Sequence, residues 1–138
     1  MNILSNAIAI AGSGLEAQAM RVRIASENLA NAESTGKTSA ERPYTRKVVS
    51  FDTVLDEEAG GGHVRVSDVA FDAAPPRVVR NPGHPAADAA GNVKMPNVNP
   101  LVEMADIREA ARSYEANIQV IRQARDMTSM TIELLRSS

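Results

Sequence analysis

Gly36-Lys37-Thr38 has the ending of a phosphate-binding loop, in which backbone N–H groups cradle phosphate and the Lys reaches the outer oxygens. The full motif needs another Gly five positions earlier and a strand ahead of it. Position 31 is Asn, and the preceding segment reads as helix. The triplet therefore reads as a helix-ending turn. His63 and His84 are the two histidines, and neither has a second ligand at metal spacing. Turn or surface roles are expected of them rather than metal binding or general-base work. Asp56-Glu57-Glu58 is an acidic run before Gly60-Gly61-Gly62. It reads as a solvated loop, since a glycosidase pair needs two carboxylates opposed across a cleft. There is no Cys, which excludes thiolate nucleophiles, disulfides and cysteine zinc sites. Met104, Met127 and Met130 fall at helical spacing and read as packing residues. No catalytic residue, metal or cofactor is expected, and the chain does not read as an enzyme.

Composition narrows the partners. In 138 residues, 15 Lys+Arg face 17 Asp+Glu, for a net charge of −2. A nucleic-acid binder would carry a basic excess. Aromatic residues make up 3%, namely Tyr44, Phe51, Phe71 and Tyr114, too few for a stacking platform. No stretch suits a secretory signal or approaches the roughly 20 apolar residues of a membrane span. The expectation is a chain that stays in the cytosol or leaves it without a cleaved signal.

Three segments must position whatever the chain does. Residues 1–36 read as an N-terminal helix, from about Asn2 to Ala32 and roughly 45 Å long. Leu4, Ile8, Ala11, Leu15, Gln18, Val22, Ala25, Leu29 and Ala32 recur at spacings of three and four. A second row, Ile3, Ile10, Ala17 and Ile24, widens the stripe. Thr35-Gly36 reads as its glycine cap. Residues 37–98 form a β- and loop-rich insert, with short strands at Tyr44 to Phe51, His63 to Val69 and Arg77 to Arg80. Gly60-Gly61-Gly62 reads as a turn or flexible tip, and Asn81 to Pro85 as a breaker.

Residues 99–138 read as a second helix, capped by Asn99 with Pro100 at its first position. Its stripe is Met104, Ile107, Ala111, Tyr114, Ile118, Ile121, Arg125, Thr128, Ile132 and Leu135, and Val120, Ala124, Met127 and Leu134 form a second row. The expected fold is mainly α with a small β part: two long terminal helices packed as an antiparallel coiled coil around a short-stranded middle. Gln18 and Arg125 interrupt their stripes, and pairing between them is one possible source of register. The second rows give each helix more apolar face than one partner covers, which points to oligomerisation. The expected assembly interface is Leu4, Ile8, Leu15, Val22, Leu29, Met104, Ile107, Tyr114, Ile118, Ile121, Ile132 and Leu135.

Two stretches go beyond periodicity. Asn28-Leu29-Ala30-Asn31, followed by Thr35-Gly36, resembles the N-terminal signature of the flagellar axial proteins, the family of rod, hook and hook-associated subunits. Val93-Lys94-Met95-Pro96-Asn97-Val98, with Glu103-Met104 and Arg112-Ser113-Tyr114-Glu115-Ala116-Asn117, resembles the C-terminal region of a proximal-rod member of that family. Asn92 stands where that family often has Tyr, and Lys37 where many members have an aromatic.

The resemblance implies a structural subunit of the basal-body rod in the periplasm, exported by the flagellar type III apparatus without a cleaved signal. It implies terminal helices that line the export channel, transmit torque and order on assembly. It implies self-association and partners among the other rod proteins (FlgB, FlgF and FlgG types) and the hook-basal body complex protein FliE, with no nucleic acid and no small-molecule substrate. Another axial protein, FlgB-like for example, is the first alternative. A cytosolic helical adaptor or export chaperone is the second.

Overall fold

The computed structural model describes residues 3–57 and 60–138. Asn2, read above as the first helical residue, and Glu58, last of the acidic run, lie outside them. The elements run α1 (Ile3–Ala30), β1 (Lys47–Asp56), β2 (Gly61–Phe71), β3 (Arg77–Arg80), β4 (Asn92–Met95) and α2 (Pro100–Ser137). The helices pack antiparallel: Asn28 meets Glu103, Arg21 meets Asp106, and Gly14 lies against Asn117. β1 and β2 form a long antiparallel hairpin, and β3 and β4 a short one. The long hairpin lies along α1. Lys47, at its base, bonds Asn28, and Gly61, at its tip, touches Ile10. Midway, the Val64 N–H donates to Ser13 Oγ at 3.1 Å.

The seam between the helices is made of small residues. Ala11, Ala17 and Ala25 are buried on α1, and Ala110 and Ala124 on α2. Small side chains allow close helix approach but contribute little burial each. This corrects the predicted row on α2. The buried residues of α2 are Glu103, Ala110 and Ala124, with Asn117 half-buried, each one position before a member of the predicted row, while Ile107, Ile118 and Ile121 of that row are themselves half-buried. Met104 and Tyr114 are displaced to the exposed side, with Ala111 and Arg125. On α1, Ile24 and Ala17 of the second row are buried because that row meets the hairpin as well.

The register also excludes the Gln18–Arg125 pair. Gly14 beside Asn117 sets Gln18 across from the Ser113 region, well short of Arg125. Gln18 Oε1 is buried without a partner, and Arg125 is exposed.

Gly36 does not cap α1. The helix ends at Ala30, where the Asn31 side chain donates to the Glu27 carbonyl at 2.9 Å and accepts from Ser34 Oγ at 3.0 Å. Gly36 has no positive φ. A Cβ there would sit 2.7 Å from the Glu41 carbonyl oxygen, so close chain approach is what requires glycine. The left-handed glycines are Gly60, between β1 and β2, and Gly91, against Pro82 before β4. Gly61 and Gly62 belong to β2 rather than to a flexible tip. β1 begins later than read and reaches Asp56. β2 is longer than read, and Ser67 is its extra residue at a bulge between the Ser50 and Phe51 pairs. Asn99 caps α2 as predicted, accepting from the Leu101 N–H at 3.1 Å.

Two helical glycines should behave oppositely. A Cβ on Gly12 meets nothing within 4 Å, whereas one on Gly14 meets Asn117 Nδ2 at 2.8 Å. Gly12→Ala is expected to stabilise the free subunit by up to about 1 kcal/mol. Gly14→Ala is expected to gain less or to lose stability. Urea melts of both variants check this, and a destabilised Gly12→Ala would contradict the packing described.

Candidate functional site: a polar knot and two uncovered ends

Where the C-terminal end of α1, the start of α2 and the base of the long hairpin meet, the interior is polar. Asn28 and Glu103 are each 1% exposed. The Asn28 amide donates to the Lys47 carbonyl at 2.8 Å and to Glu103 Oε2 at 3.3 Å. Its Oδ1 accepts from the Lys47 N–H at 2.9 Å and from the Tyr44 hydroxyl at 2.8 Å. That fills both donors and both acceptor sites of the amide. By exchanging both bonds with Lys47, the side chain imitates a neighbouring strand and fixes where β1 begins.

Arg46 draws the other elements in. Its guanidinium bonds Glu103 through Nε, pairs with Asp72 Oδ2 at 3.2 Å and lies 4.0 Å from Asp106 Oδ2. Arg21 joins from α1, 2.9 Å from Asp106 and 3.1 Å from Glu109. Asn97 closes the far side. Its Oδ1 accepts from the Arg46 N–H at 2.7 Å, and its amide donates to the Ala74 carbonyl at 3.0 Å and to that of Asp72 at 3.3 Å. Burial opposes the Arg46 cation, but its bonds and attraction to Glu103 and Asp72 outweigh that and raise its pKa. Burial, then the charges of Glu27 and Glu103, push the Tyr44 phenol up. The Ala74 N–H, followed by Arg46, holds the Asp72 carboxyl below 3.8 against an opposing desolvation.

A carboxylate with a lowered pKa contributes stability above its ordinary value, and that stability is lost as pH falls through the lowered one. The subunit is therefore expected to lose stability below about pH 3.8 in part through Asp72. Asp72→Asn should flatten that acid limb in a pH series of thermal melts. An unchanged limb would contradict the pairing. Buried ion networks of this kind add little net stability compared with apolar packing. Their effect here is to fix which groups meet.

The signature residues divide on this geometry. Asn28 and Asn97 are in the knot; Asn31 closes α1; Asn117 packs on Gly14. Leu29 is half-buried and Ala30 exposed. Pro96 and Val98 are buried, Met95 and Gly36 half-buried, and Tyr114 exposed. Sequence reasoning does not single out Arg21, Arg46 or Asp106; Glu103, beside Met104, belongs to the stretch that carries the resemblance.

Of the predicted interface, Leu4, Ile8, Leu15, Val22, Leu29, Ile107, Ile118 and Ile121 are half-buried within the subunit. Met104, Tyr114, Ile132 and Leu135 stand exposed. α2 outruns the start of α1 by roughly two turns, and residues 129–138 are exposed throughout. That end displays Ile3, Met130, Ile132, Leu134 and Leu135; the opposite end displays Leu101, Val102, Val78 and Val79. Among the described residues no helix is long and apolar enough to cross a membrane, and no group of three or more His, Asp or Glu could hold a metal ion. His84 serves a turn, its Nδ1 accepting from the Ala86 N–H at 3.0 Å.

A knot that ties the helix ends to the hairpin base, joined to helix ends with uncovered apolar side chains, is the build of a structural subunit. Residues 89–134 match the family described as flagellar basal body rod FlgEFG protein C-terminal. The flagellar basal-body rod protein FlgC of Agrobacterium fabrum is 55% identical over 138 residues, covering 100% of this chain and 99% of that protein. FlgC of Escherichia coli O6:H1 is 44% identical over 132 residues, covering 95% and 97%. FlgC of Salmonella typhimurium is 43% identical over 132 residues, with the same coverage. The chain belongs to the FlgC family of flagellar basal-body rod proteins, a structural and non-enzymatic family.

Proposed function

We propose that this chain is a proximal-rod subunit, built by its terminal helices into the wall of the tube between motor base and hook. In that position it transmits torque and lines the export channel. Its neighbours are sister copies, rod proteins of the FlgB, FlgF and FlgG types, and FliE. It reaches the periplasm through the flagellar type III export apparatus. The observation that carries this reading is the apolar surface left on α1 and α2 once they have packed together. Monomeric proteins rarely leave contiguous apolar patches of this kind uncovered. Full-length identity to rod proteins favours it over an adaptor. Basal bodies purified from cells lacking the gene should show rings without rod or hook, restored by complementation. Normal basal bodies in motile cells would overturn the assignment.

Ordering is coupled to assembly in this reading. Fixing the backbone costs roughly 1–2 kcal/mol per residue, and an alanine seam offsets little of it. The knot secures one end of the helix pair, so the other end should open first. In the free subunit, amides of 3–14 and 125–137 are expected to exchange with deuterium faster than those of 20–30 and 100–110. Uniformly strong protection would contradict the coupling.

A further inference from the structure

The long hairpin carries complementary features at its two ends. Beyond its base lies a groove of about 580 Å³, lined by Arg42, Tyr44, Phe71, Pro75, Lys94 and Asn97 among others. Asp72 also lines it, but its carboxylate is taken up by Arg46 and by the Ala74 N–H. Arg42 and Lys94 are exposed and form no ion pair among the described residues. The groove therefore offers two uncompensated cations beside an exposed ring, Phe71. At the other end, Leu55 is 79% exposed and Glu57 is exposed beyond it. An aliphatic side chain followed at close range by a carboxylate is what such a groove accepts.

The two features cannot meet within one chain. The hairpin base is fastened at Asn28 and its tip touches Ile10, roughly 27 Å apart along α1. We propose that Leu55 and Glu57, at the far end of β1 in one copy, seat in the groove of a second copy, with Leu55 against Phe71 and Pro75 and Glu57 between Arg42 and Lys94. Different surfaces meet in such a contact, so it is heterologous. It repeats from copy to copy instead of closing a two-fold dimer. The end presenting the tip is also the end that exposes Ile3, Leu134 and Leu135. The opposite end exposes Leu101 and Val78, so one head-to-tail arrangement brings both sets of features together. The inference rests on the rod reading, which places copies in contact.

The chain has no cysteine, so introduced thiols are its only ones. Full-length Glu57→Cys and Lys94→Cys variants are co-expressed in cells lacking the native gene, and their basal bodies are treated with a short bismaleimide. The expected result is an adduct of twice the chain mass that forms only when both variants are present. In a separate strain, Lys94→Glu should reduce swarming, and adding Glu57→Lys to the same chain should restore it. Motile cells with complete rods and no adduct would overturn this contact and leave the rod reading standing. An adduct between Glu57→Cys and a different rod protein would overturn the choice of a second copy as occupant.

Discussion

Replacing Asn28 by Asp is expected to lower the stability of the free subunit by about 3–5 kcal/mol. The change is nearly isosteric: an NH2 becomes an oxygen. Packing is therefore preserved, and any effect is one of hydrogen bonding and charge. Both donors of the side chain are lost. The Lys47 carbonyl loses the bond it accepts at 2.8 Å, and a buried acceptor left without a donor costs about 1–3 kcal/mol. The contact to Glu103 Oε2, 3.3 Å in the parent, becomes one between two carboxylates. Glu103 is 1% exposed, so water does little to screen it. Like charges so close in the interior add to the loss. Set against a typical total of about 5–15 kcal/mol, this is enough to leave much of the chain unfolded. Urea melts of the purified subunit measure it. A variant within about 1 kcal/mol of the parent would show that the knot does not hold the helix ends and hairpin base together.

The second large effect is expected on assembly, with the subunit itself unchanged. Leu134 and Leu135 are 71% and 72% exposed, beyond the reach of α1. The double change Leu134→Asp with Leu135→Asp should leave the melt of the free subunit within about 0.5 kcal/mol of the parent, as for other exposed positions. If a neighbour buries both side chains, about 2 kcal/mol is lost for each. Two such losses weaken one subunit contact by roughly a thousandfold. A carboxylate forced against an apolar neighbour raises the loss further. Cells carrying the double variant should be non-motile, with basal bodies that lack a rod. Swimming cells with complete rods would show that this end of α2 is not an interface.

Some of this was legible in the sequence for physical reasons. Asn99-Pro100 encodes a helix start locally, and the cap is found there. Arg77 to Arg80 forms a strand over the predicted residues. β4 was missed because Asn92–Met95 has a single β-branched residue and is a strand only through its pairing with β3. The α2 row was displaced because bulky side chains dominate a periodicity reading. The actual seam uses Ala110, Asn117 and Ala124, where closeness matters more than size. Gly36 reads as a cap because Gly usually marks one; here the Asn31 side chain closes the helix instead. Asn28 and Asn97 of the knot are signature residues, but its ion pairing is illegible because Arg46 and Glu103 are 57 positions apart. Only the fold brings them together.

The apolar end of the helix pair, exposed in the subunit, should be covered by neighbours in the rod. Maleimide labelling of a Leu135→Cys variant tests it directly, since the chain contains no other thiol. The free subunit should label readily, and the same position in purified basal bodies should resist labelling until the rod is dissociated. Equal labelling of free subunit and intact rod would contradict the account.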